Sequence, residues 1–293
     1  MRRSLHLWLL TLLMAAAAIA TRVWELASAY DYATELAVSM HPATITTALI
    51  AGAAVLLLFL LRGRADPDPD KAAGSFASAV GALSGLALLG SAVFDAMRAA
   101  EKRQVSLFVF VALTLMTAFV LLRYSRQTGD GKTDPTRGFY LTIPVFWGCY
   151  WLILDFWDHA ANPVLFSYLY KMLAIIFVTL ALHGAAGASF GRTKARMTRL
   201  FAFGGLFFAL MTIGSTQLAG LFVSPGETFS AMTLTPAALC RYIFAALHMS
   251  VTGLYAAKNT ERPLKVTEPG AAEEGAADAD MTDIDTIDAN TNE

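Results

Sequence analysis

Charge is scarce in this sequence. Only 15% of its 293 residues are Asp, Glu, Lys or Arg, against 56% hydrophobic, and the mean hydropathy is +0.52. Soluble domains carry about 25% charged residues, so water is not the main solvent of this chain. Positive charge is not in excess either. A net charge of −1 and a pI near 6.5 leave no basic surface to displace phosphate counterions, which argues against a nucleic-acid partner. Cysteine is almost missing. Cys149 and Cys240 lie within or at the edge of apolar segments, without the spacing of a metal or redox motif, and read as small core residues.

Metalloprotease signatures are missing as well. There is no His-Glu-x-x-His, the pattern that announces a zinc protease. Gly131-Lys132-Thr133 resembles the end of a phosphate-binding loop, but Arg126 stands where the first glycine is required, and no strand precedes it.

What the sequence does have is long apolar runs. A helix needs about 20 apolar residues to cross a hydrocarbon core, and lipid favours helices because they satisfy their own backbone. Eight segments qualify: Leu5 to Val23, Thr44 to Leu61, Ser75 to Met97, Val105 to Leu122, Phe139 to Phe156, Val164 to His183, Leu200 to Phe222 and Pro236 to Ala257. The expected fold is therefore an all-α polytopic transmembrane bundle of about eight spans, occupying residues 1–260. Between the spans lie turn-forming stretches such as Asp66-Pro67-Asp68-Pro69-Asp70, Gly129-Asp130-Gly131, Asn162-Pro163 and Ser224-Pro225-Gly226. These links leave no room for a folded soluble domain. From Pro263 the chain has nine acidic residues against one lysine; residues 261–293 are expected to form a disordered cytoplasmic tail.

Lys and Arg favour cytoplasmic loops. With the N-terminus inside, 16 of the 22 basic residues fall on the cytoplasmic side, and the six others are Arg22, Arg98, Lys102, Arg103, Lys171 and Arg241. The predicted topology is N-in and C-in, with the basic stretch Arg98 to Arg103 as its exception. An alternative for the first run is a cleaved signal peptide, with sites after Ala18-Ile19-Ala20 or Ala27-Ser28-Ala29.

Polar residues inside spans point to buried faces. In the third span Ala77, Gly81, Ser84, Ser91 and Asp95 recur with helical spacing, and in the seventh Gly205, Ala209, Thr212, Thr216 and Ala219 do the same. Both read as packing seams. The fifth span puts Trp147, Trp151, Asp155 and Asp158 on one face. A tight turn at Asn162-Pro163 would bring Asp155 and Lys171 to the same depth, roughly 12 Å from that turn. They could then pair; alternatively Lys171 snorkels and Asp155 sits in headgroup water. In the eighth span Arg241, His248 and Thr252 share a face. His183 and His248 differ in depth, which disfavours a shared haem. No metal and no cofactor is implied.

On this topology Arg22, Glu25, Asp95, Asp155, Asp158, His159, Lys171 and Arg241 all gather in the outer half. With His248 they form the candidate ligand-binding set, lining an outward-facing polar pocket between spans one, three, five, six and eight, with Trp24, Trp157, Tyr168, Tyr170 and Tyr242 at similar levels. Arg22-Val23-Trp24-Glu25-Leu26 followed by His41-Pro42-Ala43-Thr44 resembles uncharacterised multi-spanning membrane proteins of anaerobic Gram-positive bacteria. The resemblance covers the first quarter of the chain, implies a bacterial cytoplasmic membrane and brings no activity.

The leading functional expectation is a non-enzymatic small-ligand sensor or accessory membrane component, whose partners are the lipid bilayer and a small molecule. A secondary transporter is the alternative, with Trp24-Glu25 and Trp157-Asp158 hinting at a four-plus-four repeat. An intramembrane enzyme, third, would rest on Asp155, Asp158 and His159 as its acid-base group.

Overall fold

A computed structural model describes residues 2–31, 36–37, 41–61, 74–130, 136–159, 166–190, 195–222 and 234–255. Among them are eight helices: α1 Arg2–Ser28, α2 Pro42–Leu61, α3 Gly74–Lys102, α4 Val105–Asp130, α5 Arg137–His159, α6 Phe166–Ser189, α7 Ala195–Phe222 and α8 Pro236–Tyr255. All eight are long and apolar enough to cross a membrane. The chain is a multi-pass helical membrane protein. A minimal antiparallel hairpin, β1 Tyr30–Asp31 and β2 Leu36–Ala37, stands between α1 and α2 and pairs Tyr30 with Ala37.

Several helices run past the apolar runs that mark them. α4 continues through Arg123 and Gly129 to Asp130, where a turn is expected from Gly129-Asp130-Gly131, and α7 begins at Ala195 rather than Leu200. The reason is physical: hydropathy reports contact with lipid, whereas backbone hydrogen bonding continues into the headgroup layer. The acidic tail and the Asp66, Asn162 and Ser224 turns lie outside the described residues.

Helix starts follow local chemistry. Thr235 caps α8 by accepting the Ala238 N–H at 3.2 Å, with Pro236 in the first turn. His41 Nδ1 accepts the Ala43 N–H at 3.3 Å at the head of α2. Several hydroxyls inside the spans bond back to their own helix, as Thr11 does to Leu7 O, Thr114 to Phe110 O and Thr212 to Phe208 O. No polar hydrogen of these groups is left to the lipid.

The packing is a ring. α3 lies against α4 and α8, α5 against α4 and α6, and α7 against α6 and α8. α1 packs on the outside against α7 and α8, and α2 against α1 and α7. α7 is the innermost helix, with 72% of its apolar window buried, and α2 the most lipid-exposed at 22%. The centre of the ring is filled by aromatic side chains from three helices. Trp147 stacks on Phe110 at 6.3 Å and meets Phe244 edge-on at 5.4 Å, while Trp151 meets Tyr242 at 5.4 Å. Trp147 Nε1 donates to Thr114 Oγ1 at 2.9 Å, which satisfies the one polar atom this ring would otherwise bury unpaired.

Candidate functional site

α3 and α4 are joined by the tightest connection among the described helices, with only Arg103 and Gln104 between them. Arg103 takes the left-handed conformation at φ 50° and its N–H bonds back to Ala99 O at 2.9 Å. A side chain in that region costs roughly 1 kcal/mol, and here it ends α3 as a glycine would. The reversal sets the last turns of α3 beside the first turns of α4. The C-terminal part of α5 and the N-terminal part of α8 close the other sides.

The four helix ends enclose a cavity of about 330 Å³, with Asp95 and Arg98 from α3, Ser106 and Phe110 from α4, Trp151 and Asp155 from α5, and Arg241 from α8 on its walls. Gln104, Val105, Trp157 and Asp158 also border it, and all four are exposed, so they mark its mouth. This is the end of the bundle that the basic-residue pattern predicts to lie outside the cell.

At the inner wall Arg241 Nη1 donates to Asp95 Oδ2 at 2.5 Å, and Ser91 Oγ donates to the same oxygen at 3.1 Å. Asp95 is 1% exposed and Arg241 8%. The guanidinium carbon lies 5.2 Å from the Phe110 ring centre and 5.6 Å from that of Trp151. Both rings present negative faces to a cation that has lost its water, a contact worth about 2 kcal/mol when desolvated. Arg241 Nε is buried with no acceptor. One of its donor groups is therefore unspent. Nearer the mouth, Arg98 Nη2 and Asp158 Oδ2 stand 3.4 Å apart in a looser, half-solvated pair.

A second polar cluster lies next to the cavity, on the α1 and α6 side. Arg22 Nη1 is 2.6 Å from Glu25 Oε2, one turn along α1, and both are buried. The Arg22 guanidinium sits 5.3 Å from the centre of the Tyr170 ring. Asp155 interacts electrostatically with Lys171, Tyr168 and Tyr242, and Arg22 with Lys171. The Tyr242 hydroxyl reaches Lys171 O at 3.5 Å. Asp155 thus belongs to the cavity wall and to the second cluster at once.

The candidate set of nine residues therefore divides. Asp95, Asp155, Asp158 and Arg241 line the cavity, while Arg22, Glu25, Lys171 and His248 do not. α1 cannot reach the cavity because it packs on the far side of α8 and on α7. His248 is buried two turns below Arg241, stacked on Phe244 at 5.4 Å. His159 ends α5. Of the five helices expected around a pocket, α3, α5 and α8 supply walls, and α4 takes the place of α1 and α6. Two features were not anticipated: the partnership of Asp95 with Arg241, and the contribution of α4. The first carried a signal. Asp95 lies seven residues before the end of α3 and Arg241 five after the start of α8, so opposite charges stand at similar depth.

Among the described residues no group of His, Cys, Asp and Glu is arranged to hold a metal ion. Fold and cavity together define a multi-pass helical membrane protein with a small, charged, aromatic-lined recess at one end of its described helices. No protein-family model, curated protein or solved structure matches the chain.

Proposed function

We propose that this protein is a non-enzymatic small-ligand sensor or accessory subunit of the bacterial cytoplasmic membrane, with both termini inside and the cavity facing out. One observation carries the reading. The recess is open at its mouth, and beneath it lie the neutralised Asp95–Arg241 pair and the buried aromatic stack of Phe110, Trp147 and Phe244. Such a site can hold a solute without a path that would let it through. A small concave pocket with a few converging polar groups on aromatic walls is the usual form of a small-molecule site.

A cysteine placed at Gln104, in a background where Cys149 and Cys240 are changed to Ala, should react with a membrane-impermeant reagent added to intact cells. Labelling only in inverted vesicles would overturn the outward orientation. Protein purified in mild detergent should release a small molecule detectable by mass spectrometry. A variant with Ser106→Trp, which fills the recess, should not. Equal release from both would remove the cavity as the binding place.

A secondary transporter is the second reading, and Pro144 favours it. This residue sits inside α5, where it removes the hydrogen bond to the carbonyl one turn earlier and leaves a hinge below Trp147. Accumulation of the released solute by proteoliposomes, lost on Asp95→Asn/Arg241→Gln double substitution, would replace sensing by transport.

A further inference from the structure

The ion pair on the inner wall constrains what the cavity can accept. Asp95 and Arg241 are both buried, both border the recess, and hold each other through a single 2.5 Å contact. A ligand reaching this wall meets a carboxylate and a guanidinium at once. A plain anion that draws Arg241 away leaves the Asp95 carboxylate buried with only Ser91, and a plain cation that takes Asp95 strands Arg241 in the same way. Leaving either charge uncompensated is strongly unfavourable. A molecule carrying both charges avoids the conflict, because its anion bonds Arg241 while its cation bonds Asp95. One buried pair becomes two, and no charge is stranded.

Resting on the cavity assigned above as a ligand site, we propose that it recognises a short zwitterion of the α-amino-acid type, carboxylate against Arg241 and ammonium against Asp95. Three features support the assignment. Arg241 Nε is buried without an acceptor, so the guanidinium has a donor to offer a carboxylate beyond the one that Asp95 uses. The two protein charges touch, so ligand charges separated by one carbon fit between them with little opening of α3 from α8. Beside them Leu107, Phe110, Trp151 and Leu154 give the wall an apolar part, a surface for an aliphatic side chain rather than another charge. The cavity of about 330 Å³ has the size for a molecule of this class.

The test is equilibrium binding to the full-length protein in mild detergent, using L-leucine, L-leucinamide, N-acetyl-L-leucine and 6-aminohexanoate. The first has both charges one carbon apart, the next two have one charge each, and the last has both charges held far apart. L-leucine is expected to bind, and each of the other three at least about 100-fold more weakly, the factor that follows from stranding one buried charge. Single substitutions at the pair strand a buried charge, so the variant is Asp95→Asn/Arg241→Gln, which keeps both positions polar but removes both charges. It should bind L-leucine and N-acetyl-L-leucine equally. If leucinamide or N-acetyl-leucine binds the unaltered protein as tightly as leucine, the zwitterion assignment falls while the cavity stands as a site. If none of the four binds, the assignment falls, and release of another molecule that Ser106→Trp abolishes then tells whether the site itself survives. Undiminished discrimination by the double variant would equally overturn the assignment, since the pair would not be what discriminates.

Discussion

Between α6 and α7 glycines make room for side chains of the facing helix. A methyl group on Gly184 would strike Thr198, and one on Gly204 would strike the Phe177 ring. Phe203, Phe207 and Phe208 fill what remains and are all 1% exposed or less. Between α3, α4, α5 and α8, near the cavity end, the spacers are instead a guanidinium, a carboxylate and two large rings. The first seam closes over its glycines, and the second leaves about 330 Å³. Small residues let helices close up by dispersion alone, since lipid offers no hydrophobic drive between them. A charged pair clad in rings holds helices apart, because neither the ions nor the rings can be compressed. The charged cavity and the phenylalanine-filled seam therefore lie at different helix contacts.

The contrast breaks most readily at Asp95. Asp95→Ala leaves Arg241 buried without its anion and is expected to destabilise by about 3–5 kcal/mol, read as a fall in unfolding midpoint in detergent. Asp95→Asn/Arg241→Gln should recover most of that loss. An equally unstable double variant would mean that the site matters for its shape and not its charge. The glycine seam is probed by Gly204→Ala, expected to cost about 1–3 kcal/mol by overpacking against Phe177. Gly52→Ala, where nothing lies within 4 Å of the added methyl, should instead stabilise by up to about 1 kcal/mol through helix propensity. If the two alanines behave alike, close approach is not what orders α6 and α7. Trp147→Phe keeps the ring stack but removes the bond to Thr114, and a loss of about 1 kcal/mol is expected. Smallest is Arg98→Gln at the rim, where solvent screens the 3.4 Å contact with Asp158 and the change should stay under about 1 kcal/mol. A larger loss there would extend the rigid part of the site out to its mouth.

Sequence alone made the eight spans legible, because lipid writes its demand as runs of apolar residues that can be counted. The buried stripe of α3 was also readable: Ala77, Gly81, Ser84, Ser91 and Asp95 are all buried, since polar and small groups avoid lipid. Which helices meet was only partly readable. The matched depth of Asp95 and Arg241 hints that α8 returns to α3 across a separation of 146 residues, but nothing in the one-dimensional pattern says that α1 lies outside the ring. Asp155 and Lys171 were expected at matching depth from the length of the α5–α6 connection, paired or apart, and the Asp155 charge does act on Lys171. Local turn geometry is predictable at short range, whereas ring closure depends on every helix at once. α4 escaped notice as a wall because its contribution comes from Ser106, Leu107 and Phe110, residues without charge.

α8 packs against α3 at the cavity and against α7 in the glycine-rich half. Arg241 stands near its first turn, and Gly253, pressed against Phe203, stands near its last. The separation is 12 residues, or about 18 Å of rigid rod. A displacement of the arginine along the helix axis would therefore be felt at the other end of the same rod, where Gly253 meets Phe203 and α8 lies on α7.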